Sequence, residues 1–399
     1  MEAPVGQFVF PPLERVFFGP GSVARLGEEL DRRGRKRALV VTGKTLGGSN
    51  LLGNVTAALG TRCVGVFNKA AQHAPADTVR ALVAEAEKLE ADSLISFGGG
   101  SPIDSAKVAI ASLNAGKDMI AEAGELDFSR AFGTQDPNAK AIHIAVPTTL
   151  SAGEYTAAGG VTVGNAKHAV IDARDQPATV VNDPEMTLLT PEWLWVSTGM
   201  RALDHAVEAI YSRRHQILPD TMAAKAIRLL FDHLPGSIHK TGDAALAHRG
   251  HCQIAAWFSI YGAMNTGLGI SHAMGHQIGP AWDVPHGYNS CITLPHAMRF
   301  MAMESAHLFG PIAEALDIAF DPEDPQTGAF ACADTVADFI ARFDMVPHAL
   351  KDLDIARDQI GSVAEAIYKE LKVYPVTERE TTMDEINRLL ADAYDGYKH

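Results

Sequence analysis

Four short apolar runs constrain the fold of this chain more than any other feature. Arg37-Ala-Leu-Val-Val-Thr42, Cys63-Val-Gly-Val-Phe67, Ser93-Leu-Ile-Ser-Phe97 and Ala141-Ile-His-Ile-Ala-Val146 are too short for helices and read as buried strands. Between the second and third, Thr78 to Leu89 places Val79, Leu82, Val83 and Ala86 on one helical face. Strands alternating with helices imply crossover connections, hence a parallel sheet covered on both faces. After Asn182-Asp-Pro184 the texture changes to long helical patterns rich in Ala, Leu and His, such as Thr221 to Leu234 and Cys332 to Phe343. The division into domains is therefore expected near residue 185, giving 1–185 and 186–399.

The chain has 399 residues, enough for two cores. Hydrophobic residues make up 47% and charged ones 21%, a soluble, globular balance. A net charge of −14 excludes the clustered basic footprint that nucleic acid requires. Cys63, Cys252, Cys291 and Cys332 are scattered without a CxxC pair, so reduced thiols are expected. No signal-peptide pattern or membrane-length apolar run occurs, which makes the cytoplasm the expected location, with no membrane partner.

Phe97-Gly98-Gly99-Gly100-Ser101-Pro-Ile-Asp104-Ser-Ala-Lys107 follows a strand and opens a helix. Three glycines let backbone amides approach a pyrophosphate, and a helix N-terminus favours the anion. By itself such a turn could equally be plain strand-to-helix punctuation. A second loop, Pro147-Thr148-Thr149-Leu150-Ser151-Ala-Gly153-Glu154, also follows a strand and offers hydroxyls to phosphate, ribose or carboxamide. Lys167 is taken as a further candidate contact. These loops suggest a Rossmann-like first domain that binds a phosphate-bearing nucleotide, a nicotinamide dinucleotide being the candidate. At the end of the first of the four strands, Gly43-Lys44 stands where an acidic residue would select NAD(H) by repelling a 2′-phosphate. NADP(H) is therefore expected to be accepted, and NAD(H) stays open.

The helical half carries the histidines. Gly269-Ile-Ser-His272-Ala-Met-Gly-His276 puts two imidazoles on one helix face, and His286 follows in a Pro-His-Gly segment read as a turn. Upstream, Arg201 and His205 share a face by the same spacing. One such pair is unremarkable among 16 histidines; the combination suits a divalent metal wanting nitrogen ligands, except that a guanidinium cannot ligate a cation. Arg201 and Asp204, at i, i+3, could instead pair on the helix surface.

This arrangement resembles the iron-dependent (group III) alcohol dehydrogenases, whose helix motif Gly-Met-Asp-Ala-Leu-x-His precedes a His-x3-His-x9-His run. The resemblance runs from Phe17-Phe-Gly-Pro-Gly-Ser22 to Leu294-Pro-His296 and implies an active site in a cleft between the two domains. It implies that His205, His272 and His286 bind Fe²⁺ or Zn²⁺ and that His276 lies beside the nicotinamide and relays a proton. It also implies that Gly43, Lys44, Gly98, Gly99, Gly100, Ser101, Asp104, Thr148, Thr149, Leu150 and Ser151 serve the cofactor. Arg201 replaces the family's aspartate. Either three imidazoles still hold a metal, or the metal is lost and Arg201, with His205 and His276, stabilises oxyanion charge or clamps a substrate carboxylate. The second outcome resembles the maleylacetate reductase branch, as do Gln72-His-Ala-Pro75 and Lys372-Val-Tyr-Pro375, whereas residues 112–140 look more like the alcohol dehydrogenase branch. Hydride transfer between nicotinamide and a small carbonyl or alcohol is the expected reaction, in a homodimer. A lyase of the dehydroquinate synthase type would need a different glycine-loop continuation and a glutamate metal ligand. A nucleotide-binding protein without chemistry is the remaining alternative.

Overall fold

The computed structural model describes residues 6–123, 128–131, 133–164, 166–261, 263–373, 375 and 379–399. The chain divides into two compact units. One comprises Val9–Thr190 with Thr241–Ile254; the other comprises Pro191–Lys240, Ala255–His399 and the chain start up to Phe8.

The first unit is built on six parallel strands, β1 (Arg15–Phe18), β2 (Ala38–Thr42), β3 (Cys63–Phe67), β4 (Ser93–Gly98), β5 (Ile142–Pro147) and β8 (Thr179–Asn182), in the order β1-β8-β5-β4-β2-β3. The period of two along each strand separates two apolar layers. Leu39, Val41 and Leu94 meet Val79, Leu82 and Ala86 of the helix Ala76–Lys88 and Ala106 and Ile110 of the helix Gly100–Ala115. Ala38, Val40, Ile95 and Phe97 meet Val23, Leu26, Leu30, Val55 and Leu59 on the other face. Each such aliphatic side chain, wholly buried, contributes about 1.5–3 kcal/mol. The four expected strands are therefore present, with both faces covered.

Four strands were not legible, among them β8, a four-residue segment between β1 and β5. β1 is an edge strand with Phe18 exposed, so it lacks a continuous apolar run. β6 (Ala158–Val163) and β7 (Ala166–Ile171) form an antiparallel hairpin outside the main sheet. The expected boundary at 185 falls inside the short 3-10 turn Pro184–Thr187, which stays with the sheet unit. Asp183 holds that turn by accepting the backbone N–H groups of Gly21, Val23 and Glu185. Arg249, from the helix Gly242–Tyr261, donates to the Thr187 carbonyl at 2.9 Å, which explains why Thr241–Ile254 belongs to the same unit.

The second unit is helical, with no strand among its described residues. Its helices include Glu192–Ile210, Ile217–His239, Ile270–Trp282, His286–Glu304, Pro325–Ile340, Ala364–Val373 and Met383–Asp395. The buried Trp195 indole donates to Ser237 at 2.8 Å, and Phe231 stacks on Phe339 at 4.0 Å between ring centres. No described helix is long and apolar enough to cross a membrane.

Candidate active site

Both candidate cofactor loops sit at the carboxyl ends of adjacent strands. β4 and β5 pair in parallel with Gly98 opposite Pro147, so the loops that follow emerge side by side. Thr148 N–H donates to the Gly98 carbonyl at 3.0 Å, and the Thr148 carbonyl accepts from the Thr190 hydroxyl at 2.7 Å. Their contact is so close that a Cβ on Gly99 would lie 2.9 Å from Thr149 Cγ2. Gly99 is also the residue preceding the helix Gly100–Ala115, where the first free N–H groups are presented. Thr148, Thr149 and Leu150 are buried, whereas Gly99, Gly100, Ser101, Asp104 and Ser151 are partly exposed. The connection from β2 runs to β3 on one side, and the connection from the adjacent β4 runs to β5 on the other. That reversal lies beside Gly43 and the exposed Lys44, the crevice where open α/β sheets bind nucleotides. The Lys167 side chain lies outside the described residues.

Lys107, two turns into the glycine-loop helix, is completely buried and donates to Thr156 Oγ1 and the Ala158 carbonyl, both at 3.0 Å. It thereby ties the helix to the segment just after the second loop. Burial pushes the neighbouring Glu154 carboxyl up to about 7, against the pull of the Lys107 charge.

In the helical unit, Arg201, His205 and Glu208 run along one stripe of the helix Glu192–Ile210 at i, i+4, i+7. His272 and His276 share a face of Ile270–Trp282. His286 is not in a turn: it is the first residue of the helix His286–Glu304, with Pro285 as its N-cap. Proline's fixed φ suits the start of a helix, so Pro-His-Gly is a start signal here. The His205 and His272 rings stack 4.8 Å apart, and His272 meets His276 edge to face at 6.2 Å. The His286 ring lies over Gly279 of the His272 helix, whose Cβ would come 3.9 Å from His286 Cε1.

Burial holds the His272 imidazole down at about 3 and His205 well below the usual histidine range. The Arg201 charge acts in the same direction on both rings, and His276 does so too. His205 and His272 are therefore neutral at physiological pH. Their buried Nδ1 and Nε2 atoms, respectively, find no hydrogen-bond partner among the described residues.

Asp204 does not lie on the helix surface. It is buried, accepts from Ser271 Oγ at 2.8 Å and stands 3.6 Å from His272 Nδ1. Burial raises its carboxyl to about 6. Glu208 accepts the Gly269 and Ser271 N–H groups at 2.6 and 2.7 Å and pairs with His272 Nδ1 at 2.7 Å. A Cβ on Gly269 would lie 2.6 Å from a Glu208 oxygen, so the close approach demands glycine. Asp204, Glu208 and His272 bring potential metal-binding atoms within 4.8 Å of one another; both Glu208 oxygens, Asp204 Oδ2 and His272 Nδ1 are engaged in the hydrogen bonds just named, whereas Asp204 Oδ1 and His272 Nε2 have no hydrogen-bond partner among the described residues.

Glu370, on the helix Ala364–Val373, pairs with His276 Nδ1 at 2.6 Å. Sequence reasoning missed both glutamates. Glu208 had a readable signal, an acid on the Arg201–His205 stripe of an otherwise apolar helix; Glu370, 94 residues from His276, had none.

A parallel sheet with phosphate-type loops and a histidine-bearing helical unit define a dinucleotide-dependent oxidoreductase. Residues 12–184 match the iron-containing alcohol dehydrogenase family, and residues 195–394 match the Fe-containing alcohol dehydrogenase family, C-terminal. The chain belongs to this family, whose members are NAD(P)-dependent dehydrogenases and reductases, and it is an enzyme of that kind. It is 31% identical over 388 residues to maleylacetate reductase of Burkholderia cepacia, covering 97% of each chain. It is 28% identical to lactaldehyde reductase of Escherichia coli (strain K12), covering 96% of this chain and 98% of the relative. An alcohol dehydrogenase from Oenococcus oeni superposes with a TM-score of 0.85 at 26% identity, over 98% of this chain and 100% of that structure.

Proposed function

We propose that this enzyme reduces, with NAD(P)H, a small substrate that carries a carboxylate beside its reactive carbonyl or alkene, without a metal ion. One observation carries the reading. At position 201, where the family motif has a metal-binding aspartate, the chain holds an arginine whose charge reaches the His205 and His272 imidazoles.

A divalent cation suits this set poorly. The guanidinium adds positive charge where an anionic ligand belongs, and the Glu208 carboxylate is already engaged with Gly269, Ser271 and His272. An anionic substrate suits it well, because a guanidinium fork binds a carboxylate bidentately.

The glycine loop holds the dinucleotide through backbone N–H groups, with the Thr149 and Ser151 hydroxyls adjacent. Bound nicotinamide supplies the hydride from its C4. Arg201 anchors the substrate carboxylate, neutral His205 and His272 wall the pocket, and His276 delivers or accepts the proton. Exposed Lys44 at the end of β2 supports use of NADP(H) alongside NAD(H).

The test measures NADH and NADPH oxidation with maleylacetate and with lactaldehyde, with and without EDTA. Preference for maleylacetate, undiminished by EDTA, is expected. Arg201→Asp should reverse the preference and acquire dependence on added Fe²⁺ or Zn²⁺. A wild type that prefers lactaldehyde and loses activity in EDTA overturns the reading.

A further inference from the structure

Of His205, His272, His276 and His286, His276 is the most exposed, and, like His272, it has a carboxylate from another helix on one ring nitrogen. Glu370 Oε1 lies 2.6 Å from His276 Nδ1, while Glu370 Oε2 accepts the Gln277 side-chain N–H at 2.9 Å. Both carboxylate oxygens are thus engaged with consecutive residues of the helix Ile270–Trp282, which fixes the carboxyl plane as well as its position. The contact crosses helices, since Glu370 belongs to Ala364–Val373, which packs on Ile270–Trp282. His276 Nε2 bonds no described residue and stays available to a ligand.

We infer that Glu370 is a positioning residue for the reaction: by holding His276 Nδ1 it fixes the ring orientation and leaves Nε2 as the atom that exchanges a proton with substrate. The inference rests on the proton-relay role proposed for His276. A carboxylate on one imidazole nitrogen keeps the neutral ring in the tautomer with the proton on that nitrogen, so the other nitrogen presents a lone pair. It also stabilises the imidazolium formed when Nε2 takes a proton from an alcohol, and the same ion then returns that proton to the alkoxide or carbanion in the reducing direction. Gln277 acts one step further out, by keeping Glu370 aimed.

The experiment compares Glu370→Ala, Glu370→Gln, His276→Ala and the double variant Glu370→Ala/His276→Ala, assayed with NADPH and maleylacetate or lactaldehyde, whichever the wild type prefers. Glu370→Ala should lower kcat about 10–100-fold with cofactor affinity unchanged. Glu370→Gln, which retains a hydrogen-bond acceptor but no charge, should fall between Ala and wild type. Adding Glu370→Ala to His276→Ala should cost nothing further, because the glutamate acts through the ring. Spectra of protein labelled with ¹⁵N-histidine, with the His276 signal assigned by its loss in His276→Ala, should show Nδ1 protonated in wild type and Nε2 protonated in Glu370→Ala. If His276→Ala is impaired but Glu370→Ala keeps kcat within about twofold, or the His276 tautomer does not change, the positioning role is overturned while the relay stands. If His276→Ala keeps full turnover, the relay itself fails and Glu370 falls with it.

Discussion

The Glu208 carboxylate pairs with His272 Nδ1 at 2.7 Å while its oxygens also accept two backbone N–H groups at the start of the same helix. One buried acid therefore sets both where that helix begins and how its first histidine is turned. Burial drives the carboxyl up to about 7, and the hydrogen bonds from Gly269 and Ser271 oppose that shift. Glu208→Ala should leave two N–H groups and an imidazole without an acceptor. The expected loss is about 3–5 kcal/mol, the size seen when one partner of a buried charged network is removed. Urea unfolding would check it; a variant within about 1 kcal/mol of wild type would show that water replaces the carboxylate.

Gly99→Val tests the glycine loop. A side chain there must displace Thr149, which already lies 2.9 Å from the position of the missing Cβ, and it would cover the N–H groups at the start of the helix Gly100–Ala115 that are proposed to bind a pyrophosphate. NADH and NADPH binding, followed by nicotinamide fluorescence, should disappear while the circular dichroism spectrum is retained. Unchanged cofactor affinity would remove this loop from the binding site.

Acid sensitivity of the sheet unit should pass through Glu29. Burial raises its carboxyl, but hydrogen bonds from Arg32, Thr179 and Arg33 outweigh burial and hold it at about 2, against 4.5 for the free side chain. A depressed carboxylate pKa stabilises the fold above the unfolded value, and that contribution fades as pH falls from about 4.5 towards 2. Glu29→Gln should therefore cost about 1.5–3 kcal/mol at pH 7 and progressively less below pH 4.5. A difference from wild type that is the same at pH 7 and pH 3 would contradict the assignment.

Metal content gives a fourth test. With Arg201 in place of an anionic ligand, protein purified without added metal should carry well under one iron or zinc atom per chain by elemental analysis. Activity should survive excess chelator. One metal per chain, with activity lost on chelation and restored by Fe²⁺ or Zn²⁺, would return the site to the family's metal-dependent pattern.

The sheet was legible because its signal is local. Val40 and Ile95 are buried on one face, Leu39 and Leu94 on the other, so whole apolar runs mark these strands and the glycines after them mark the loops. The helix faces carrying Arg201, His205, His272 and His276 were likewise set by spacing alone. Pairings between distant segments were not legible. β1 and β8 become strands by lying beside each other, Thr241–Ile254 joins the sheet unit through Arg249, and Glu370 meets His276 across 94 positions. The sequence by itself determined the parallel sheet, the two loops and which side chains share a helix face, because backbone periodicity repeats over a few residues. Tertiary structure alone decided that Asp204 is buried against Ser271 and His272, and which carboxylate holds which imidazole. Burial and the hydrogen bonds that compensate it depend on what packs opposite, and that information is spread over the whole chain.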